Sequence, residues 1–298
     1  MSISRQKRMV VTGNSGQVVT ALVERATLTE QFEVIAVGRP KLDLSQPETI
    51  EAALRVLEPD IIISAAAYTA VDQAEVDEAV ATVINGAAAG AIATAAARLR
   101  VPVVHLSTDY VFNGKKASPY HENDTVDPIN AYGRSKLTGE REICLATRNH
   151  AILRTAWVYS PFGKNFVKTM MSLAETRDIL NVVDDQIGNP TSALDIADAV
   201  LTVSSNLINS DAENLRGVFH MSGSGEASWA DFATEIFARS RTIGGPDTSI
   251  FRIASSSYPT LAKRPANSRL DCTKLSSIHG VKLPNWQSST ATVVARLV

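Results

Sequence analysis

The sequence predicts an α/β fold with a doubly wound parallel sheet, and two observations lead to that prediction. Short apolar runs rich in β-branched residues recur without alternation, which is typical of strands buried on both faces. Segments with helical periodicity lie between these runs, and a repeated strand–helix–strand order produces a parallel sheet with helices on both faces. The predicted strands are 9–11, 34–37, 61–63, 101–106, 151–153 and 218–221. The predicted helices are 16–29, 47–57, 75–99, 131–147, 166–177, 192–206 and 228–240.

The second half of the chain is less regular than the first. After the last predicted helix it carries Gly244-Gly245-Pro246 and a serine run at 255–257, so we expect this part to be rich in loops. We find no internal repeat and no linker long enough to separate two independent domains. The expected division is a Rossmann-type dinucleotide-binding domain over 1–165, with 192–222 returning to it, and a smaller, interleaved substrate-binding region over 166–191 and 223–298.

The composition excludes several classes of protein. Of the 298 residues, 45% are hydrophobic and 20% are charged, which is typical of a globular protein rather than a disordered one. The 29 basic and 31 acidic residues give a formal net charge of −2, so nothing indicates a nucleic-acid partner. Cys144 and Cys272 cannot form a disulfide framework in a chain of this size, which favours a reducing compartment.

The sequence also predicts a cytoplasmic protein without a membrane partner. The apolar run Met9-Val10-Val11 is too short for a signal peptide. The apolar stretch 61–71 is interrupted by polar residues, and the alanine-rich stretch 86–97 is brief. We therefore expect neither stretch to span a membrane.

A glycine-containing turn follows the first predicted strand and opens a helix. Gly13 allows a tight turn, and Gly16 lets the backbone approach a pyrophosphate whose charge the helix N-terminus favours. The third glycine that is usual in such turns is absent, and Val19 stands nearest to its place. An ordinary strand–helix turn is the alternative interpretation, but the position directly after the first strand favours a dinucleotide.

Arg39 follows the second predicted strand, at the point where dinucleotide folds select their cofactor. An acidic residue there binds the ribose 2′-hydroxyl, whereas an arginine accommodates a 2′-phosphate. Arg39 therefore favours NADPH, with NADH accepted, and a solvated loop arginine is the alternative. Asp43 and Leu44 follow, and Asp43 would reach adenine edges or cap the next helix.

Tyr132 and Lys136 lie four residues apart and share one face of a predicted helix. A free tyrosine has a pKa of about 10, and a nearby ammonium lowers it, so such a pair can pass a proton to or from a carbonyl oxygen. The spacing alone is not decisive, but Thr108 follows the predicted strand 101–106. Because substrates of open α/β sheets bind at the carboxyl ends of strands, we expect Thr108 to face the same crevice as Tyr132. A satisfied hydroxyl at a strand end is the alternative for Thr108.

Two segments carry a family resemblance: Ser-Thr-Asp-Tyr-Val-Phe-Asn-Gly over 107–114 and Asp-Pro-Ile-Asn-Ala-Tyr-Gly-Arg-Ser-Lys over 127–136. Further matching segments are 65–75, 153–159, 185–191 and 264–270. Together they resemble the dTDP-4-dehydrorhamnose reductase family, in the extended branch of the short-chain dehydrogenase/reductase superfamily. The resemblance covers nearly the whole chain. One departure is Asn113, which replaces the family's usual aspartate.

This resemblance implies an oxidoreductase that uses NAD(P)H to reduce the C4 keto group of a 4-keto-6-deoxy sugar nucleotide, converting dTDP-4-dehydro-L-rhamnose to dTDP-L-rhamnose. Tyr132 would protonate the C4 oxygen. Lys136 would lower the pKa of Tyr132 and hold the nicotinamide ribose. Thr108 would hydrogen-bond the substrate carbonyl.

The resemblance also implies binding residues. Asp109 and Trp157 would contact the sugar nucleotide, although a large aromatic residue such as Trp157 is usually part of a core. Arg264 and Arg269 would pair with the diphosphate, since arginine forks suit phosphate oxygens, or would lie on the surface. Asn85 would help to organise the site or satisfy a backbone group. The residues expected to line the dinucleotide are Gly13, Gly16, Gln17, Val18, Arg39, Asp43, Leu44, Ala67, Tyr68, Thr69, Tyr132 and Lys136.

Other functions stay open at this point. Sugar 4,6-dehydratases place a glutamate after the Thr-Asp pair for the elimination step, and Tyr110 stands there instead. Sugar 4-epimerases share the Tyr-x-x-x-Lys spacing but lack the segment 107–112. A cofactor-binding regulatory subunit, such as the β subunit of methionine adenosyltransferase, resembles the same family. The oligomeric state also stays open, and a homodimer is one option. Some relatives dimerise around a Mg²⁺ ion that acidic residues bind. Residues 286–298 contain no Asp or Glu, so we expect no metal here.

Overall fold

The chain forms a central six-stranded parallel sheet in a computed structural model that describes residues 5–298. In chain order the strands are β1 (Lys7–Thr12), β2 (Phe32–Val37), β3 (Ile61–Ser64), β4 (Val103–Thr108), β5 (His150–Thr155), β6 (Val158–Tyr159), β7 (Ile179–Val183), β8 (Ile187–Gly188), β9 (Thr191–Ser192), β10 (Gly217–His220), β11 (Ala227–Ser228) and β12 (Ser249–Ile253). The helices are α1 (Gln17–Thr29), α2 (Ile50–Arg55), α3 (Val71–Ala74), α4 (Glu78–Thr82), α5 (Ala88–Leu99), α6 (Ala131–Ala146), α7 (Phe166–Ala174), α8 (Ala193–Asn209), α9 (Trp229–Thr242), α10 (Thr273–His279) and α11 (Trp286–Val294).

The strand order places a ligand crevice beside β1. The order across the sheet is β10-β5-β4-β3-β1-β2, and every neighbouring pair is parallel. The chain runs from β1 outward to β2 and then returns to place β3 on the other side of β1. The carboxyl ends of β1 and β3, at Thr12 and Ser64, therefore flank the switch point at which open α/β sheets bind ligands.

Apolar side chains fill both faces of this sheet. Val10 and Val11 are adjacent in β1 and point to opposite faces, yet both are fully buried. Val11 belongs to the core cluster that includes α1 and α8, whereas Val10 belongs to the cluster that includes α2 and α5. Burying a Val, Leu or Ile side chain stabilises a fold by about 1.5–3 kcal/mol. Burial on both faces explains why these strands appear in the sequence as unbroken apolar runs.

The predicted fold class is confirmed, because all six predicted strands form the parallel sheet. The strand predicted over 101–106 in fact runs from Val103 to Thr108. Ser107 and Thr108 are therefore the last residues of β4 and pair with Arg154 and Thr155 of β5. This extension fixes Thr108 by a strand ladder rather than leaving it in a loop.

Residues 241–298 are rich in loops, as expected, but they also contain three elements that the sequence did not predict. β12 pairs in parallel with β7, and α10 and α11 follow. Serine and threonine residues surround the few apolar anchors of α11, Trp286, Val293 and Val294, all of which are buried. The apolar signal is therefore weak in the sequence, although α11 packs firmly against α9.

The division into two regions stays a prediction. β10 forms one edge of the sheet, and α8 packs against α1. The small sheets β7–β12 and β8–β11 lie outside the six-stranded sheet, as do α9 and α11.

The predicted helix 75–99 begins later than expected but includes a long apolar helix, Glu78–Leu99, in which a π-helical stretch joins α4 to α5. Its 22 residues have the length and composition of a membrane span. The expectation that the alanine-rich stretch is brief is therefore wrong. Within the protein, 56% of the apolar window is buried. Small residues allow a close approach to α6: a Cβ on Gly90 would lie 2.9 Å from the Cβ of Glu142. The alanines therefore serve helix–helix packing here.

Candidate active site

The turn after β1 has the geometry that a dinucleotide requires. Gly13 adopts a φ of +107°, and its N–H donates a 2.7 Å hydrogen bond to the Val37 carbonyl. A Cβ there would lie 3.3 Å from the Cβ of Ala66 and 3.2 Å from Val19. α1 then begins at Gln17, with Gly16 as an N-cap that provides no side-chain hydrogen bond. The first N–H groups of α1 therefore lack a side-chain cap at the switch point, which suits a phosphate.

Two residues that the sequence analysis missed hold this turn. Thr12 Oγ1 accepts hydrogen bonds from the N–H groups of Ala65 and Ala66, which joins the ends of β1 and β3. Asn14 Nδ2 donates to the Arg39 carbonyl at 3.1 Å, which joins the turn to the end of β2. A polar residue at the end of an apolar strand, such as Thr12, is the signal that could have indicated this role.

The predicted cofactor residues after β2 lie near the turn. The Arg39 side chain is exposed and makes no ion pair within residues 5–298. Asp43 accepts hydrogen bonds from the N–H and the hydroxyl of Ser45, and these bonds hold the pKa of its carboxyl below its ordinary value. Leu44 is buried in the core cluster of α2 and α5. The structure thus leaves Arg39 accessible and gives Asp43 a local turn contact.

The remaining predicted cofactor residues line the opposite side of the turn. Gln17 accepts a 2.7 Å hydrogen bond from Ser160, and Val18 packs against the core. After β3, Ala67 and Tyr68 are partly buried and Thr69 is exposed. The structure therefore gathers all of these positions around the carboxyl ends of β1 and β3.

Hydrogen bonds with three polar residues fix the start of α6. Asn130 is the N-cap, and its Oδ1 accepts the Gly133 N–H at 2.8 Å. Its Nδ2 donates to the Lys263 carbonyl, while Glu75 accepts the Ala131 N–H at 2.7 Å. These bonds fix the first turn of α6, which carries Tyr132, between two distant segments of the chain.

The buried residues Thr108 and Asp109 and the half-buried Tyr132 form one polar group at the end of β4. Thr108 and Asp109 are 4% and 3% exposed, and Thr108 Oγ1 donates to Asp109 Oδ1 at 3.1 Å. Burial raises the pKa of Asp109 to about 6. Burial also raises the pKa of Tyr132, the nearby Asp109 charge raises it further, and a hydrogen bond with Thr108 opposes both effects. The edge of the Tyr110 ring meets the Tyr132 ring at a centroid distance of 5.7 Å.

Lys136 lies one turn after Tyr132 on α6, but its ammonium is turned toward β4. Nζ donates to the Leu106 carbonyl at 2.7 Å and lies 3.0 Å from His105 Nε2. Burial lowers the pKa of Lys136 to about 8. The expected lowering of the Tyr132 pKa by Lys136 is not what this structure shows, because the groups that act on Tyr132 are Asp109, Thr108 and Tyr110.

Known proteins resemble this chain over nearly its whole length. The family model described as RmlD substrate binding domain matches residues 7–298. A dTDP-4-dehydrorhamnose reductase from Sinorhizobium fredii is 50% identical over 291 residues, which cover 98% of each chain. The chain belongs to the dTDP-4-dehydrorhamnose reductase family. The resemblance stated from the sequence is therefore confirmed.

Other members of the dTDP-4-dehydrorhamnose reductase family match over similar lengths. A relative of that name from Burkholderia thailandensis is 40% identical, and the match covers 98% of this chain and 99% of the relative. The crystal structure of dTDP-4-dehydrorhamnose reductase from Bacillus anthracis in complex with NADP superimposes with a TM-score of 0.90. The two are 31% identical over 98% of this chain and 99% of that one.

Asn85 connects the Tyr68 loop to α6 in this member of the dTDP-4-dehydrorhamnose reductase family. It lies in the π-helical stretch Val83–Ala87, and such stretches are frequent at functional sites. Its Oδ1 accepts the Tyr68 N–H, and its Nδ2 donates to the Tyr68 carbonyl and to Ser135 Oγ. Ser135 in turn donates to the Tyr132 carbonyl. Asn85 therefore both satisfies backbone groups and helps to organise the site.

Trp157 is half-buried and stacks on Trp229, with ring centroids 3.6 Å apart. Its φ of +49° is unusual for a bulky residue, and such backbone strain clusters at functional sites. A Cβ on Gly188 would lie 2.5 Å from the Trp157 ring, so the indole is confined on that side too. The structure thus fixes Trp157 between two elements rather than burying it in the core.

The two arginines predicted to bind diphosphate already have protein partners. Arg264 pairs with Asp72 at 2.5 Å and donates to the Tyr110 hydroxyl at 3.3 Å, so it lies beside the Thr108–Tyr132 group. Arg269 pairs with Glu226 at 2.9 Å and also donates to Asn267. The structure therefore brings Arg264 to the site and ties Arg269 to neighbouring loops.

A buried ion pair under the site was missed by the sequence analysis. Arg154 of β5 makes two hydrogen bonds with Glu140 of α6, at 2.9 and 2.7 Å, and both side chains are at most 5% exposed. Ser107 donates to the same carboxylate at 2.5 Å. Glu140 lies one turn after Lys136, so a charged residue at that helical spacing was the available signal. The pair holds α6 against β4 and β5.

Proposed function

We propose that this chain reduces the C4 keto group of dTDP-4-dehydro-L-rhamnose to give dTDP-L-rhamnose, with NADPH as the reductant and NADH accepted. The observation that carries the proposal is that Thr108 and Tyr132 lie together at the carboxyl end of β4, with Lys136 one turn further along α6, in a member of the dTDP-4-dehydrorhamnose reductase family. The NADP in the Bacillus anthracis structure supports the choice of cofactor.

The residues present fit a dinucleotide. The positive φ of Gly13 and the uncapped N-terminus of α1 provide N–H groups for the pyrophosphate. Arg39 is exposed at the end of β2, where its guanidinium would accommodate a 2′-phosphate. Asp43 and the loop that carries Tyr68 would hold the adenosine side, and Lys136 would hold the nicotinamide ribose.

A bound reduced nicotinamide supplies the hydride that converts the C4 carbonyl to an alkoxide. Thr108 would turn its hydroxyl proton from Asp109 to the substrate carbonyl and so orient it, and Tyr132 gives its phenolic proton to the C4 oxygen. The raised pKa of Tyr132 keeps the phenol protonated at neutral pH, which suits a donor. An alkoxide is a far stronger base than a phenolate, so the transfer is favourable. Lys136, one turn after Tyr132 on α6, would balance the charge of the phenolate that remains.

The substrate-binding roles follow the same geometry. Asp109 lies beside Tyr132, and its Oδ2 has no partner within the described chain, so it is available to a sugar hydroxyl. Trp157, confined by Trp229, would provide an apolar face. Arg264 would reach the diphosphate if its ion pair with Asp72 opened. Arg269 would need to leave Glu226 to do the same.

The competing functions are less well supported. Tyr110 occupies the position of the glutamate that dehydratases use, and its hydroxyl accepts a hydrogen bond from Arg264 at 3.3 Å. Burial raises the pKa of Tyr110 to about 12. A regulatory subunit would not require Thr108, Tyr132 and Lys136 to be kept together, so turnover is the discriminating property.

We also propose a cytoplasmic location, a homodimer and the two-region division stated from the sequence. Cys144 and Cys272 are both free thiols, which suits a reducing compartment. Size measurement in solution tests the homodimer. Limited proteolysis tests the division, because a boundary between regions would be cleaved first.

A direct assay tests the function. Purified protein is mixed with NADPH and dTDP-4-dehydro-L-rhamnose, and both the fall in NADPH absorbance and the sugar product are measured. We expect NADPH oxidation with formation of dTDP-L-rhamnose, and none with dTDP-glucose, which has no keto group. Binding of NADPH without turnover of any 4-keto-6-deoxy sugar nucleotide would favour the regulatory subunit.

A further inference from the structure

His105 is a buried polar residue in the middle of an otherwise apolar strand. Every residue of β4 is buried, and His105 itself is 2% exposed. Its two ring nitrogens each have a partner: Nδ1 lies 2.9 Å from Ser64 Oγ on β3, and Nε2 lies 3.0 Å from Lys136 Nζ on α6. Both partners are also 2% exposed. The contacts therefore form a chain from β3 through β4 to α6, shielded from water.

The chemistry of these contacts determines the tautomer of His105. An ammonium group has only donors, so Nε2 must accept from Lys136. Nδ1 then carries the proton and donates it to Ser64 Oγ. Burial first, and then the Lys136 charge, hold the pKa of His105 well below its ordinary value, so the ring stays neutral. A neutral ring with this tautomer is a fixed acceptor for the lysine.

We infer that His105 is the positioning residue for Lys136: its neutral imidazole holds the ammonium beside β4 and stabilises the charged form of the lysine. The inference rests on the proposed function only for the role of Lys136 in the reaction. Two of the three ammonium protons go to His105 and to the Leu106 carbonyl. The third ammonium proton has no hydrogen-bond acceptor within the described chain.

Other charged groups near His105 and Lys136 also change the pKa values of these two residues. His150 of β5 acts on His105 at longer range and lowers its pKa further. Glu140, one turn along α6, favours the charged form of Lys136, but its carboxylate is already bonded to Arg154. Burial outweighs Glu140, since the pKa of Lys136 is about 8 rather than 10.5. The acceptor that His105 provides therefore works against this burial.

Three variants separate positioning from general packing. The amide of His105→Asn can occupy the place of Nδ1 and keep the contact with Ser64, but it does not reach Lys136. The amide of His105→Gln can occupy the place of Nε2 and accept from Lys136. His105→Phe fills the space without any acceptor. Asn and Gln differ by one methylene, so they remain a matched pair if the Phe variant fails to fold.

The pKa of Lys136 is measured by NMR titration of ¹⁵N-lysine protein without cofactor or substrate, the resonance being assigned by its absence in Lys136→Arg. We expect the pKa to fall by about one pH unit in the Asn and Phe variants, since a hydrogen bond to a charged group favours that form. In His105→Gln it should return close to the wild-type value. The alkaline limb of the kcat profile should move to lower pH in the same variants.

An unchanged Lys136 pKa in the Asn variant overturns the inference. A fall of equal size in Asn and Gln also overturns it, because a loss of packing affects both alike. If the wild type reduces no keto-sugar nucleotide, the proposed function fails, but the titration still tests His105 because it requires no turnover.

Discussion

Gly133 lies directly against the backbone of Tyr110: a Cβ on Gly133 would be 2.2 Å from the Tyr110 carbonyl oxygen. This contact seats the first turn of α6 on the segment that follows Thr108. Tyr132 precedes Gly133 and depends on the same contact for its place beside Thr108. Because a backbone carbonyl cannot rotate away as a side chain can, only glycine allows this approach.

Gly133→Ala should displace Tyr132 and lower kcat by about 10-fold or more, since small misplacements in a site can cost up to about 10²-fold. Overpacking should also lower the free energy of unfolding by about 1–3 kcal/mol. Steady-state kinetics and urea unfolding measure the two effects. Arg134→Ala is the control, because it removes only an exposed ion pair with Glu78. A wild-type kcat in Gly133→Ala would show that this contact does not position Tyr132.

Glu140→Gln should lower the free energy of unfolding by about 3–5 kcal/mol, because it leaves Arg154 as a buried charge without its partner. Glu235→Gln is the matched control: it breaks the more exposed pair with Arg239 one helical turn away, which is worth about 0.3–0.5 kcal/mol. Chemical unfolding of both variants gives the comparison. Equal losses in the two variants would contradict the structural importance of the buried pair.

Asp109 should make stability depend on pH. Its pKa is raised from 3.8 to about 6 in the folded protein. Its contribution to stability is therefore fully present below about pH 4 and is lost as the pH rises through 6. Two pH units correspond to about 3 kcal/mol. From pH 4 to pH 7, wild type should lose that much free energy of unfolding relative to Asp109→Asn.

The control for this pH effect is Asp124→Asn. The Lys116 ammonium lowers the pKa of Asp124, so its contribution is lost as the pH falls, which is the opposite sign. The unfolded pKa of Asp124 is 3.8, so this loss occurs below about pH 4, and the difference between wild type and Asp124→Asn should stay constant from pH 4 to pH 7. Urea unfolding of the three proteins across this pH range measures both differences. A difference between wild type and Asp109→Asn that does not change with pH would mean that Asp109 titrates normally.

Arg39→Ala should raise the Kd of NADPH by about 10-fold, the cost of losing one contact with a charged phosphate, and change the Kd of NADH little. Fluorescence titration with each cofactor measures the effect. Arg55→Ala is the control, because Arg55 is an exposed arginine paired with Glu51 on α2. If both cofactors weaken equally, Arg39 does not read the 2′-phosphate.

The sequence predicted the parallel sheet well because burial on both faces leaves unbroken apolar runs, as in Ile61–Ser64. It missed β12 for the opposite reason. In β12 the residues are exposed or only half-buried, and Phe251 is 61% exposed. Such an element depends on pairing with β7, about 70 residues earlier, and leaves little local pattern.

The site was predicted in part. Strand ends and helical spacing led to the prediction of Thr108, Tyr132 and Lys136 as site residues, and the structure places Thr108 beside Tyr132. The direction of the Lys136 ammonium was not found, because it depends on His105 and on the Leu106 carbonyl. Spacing along a helix gives the face of a side chain, but the partner at its tip comes from another strand. Arg264 was placed near the site, but its pairing with Asp72 could not be read from positions 192 residues apart.

Tyr132→Phe tests the central claim most directly. The variant removes only the phenolic oxygen, and general acid catalysis is worth roughly 10²–10⁴-fold. With dTDP-4-dehydro-L-rhamnose and NADPH at saturation, kcat should fall by about that factor, while the Kd of NADPH stays near the wild-type value. A kcat near that of wild type, with the hydride step rate-limiting, would mean that another group supplies the proton and would contradict this account.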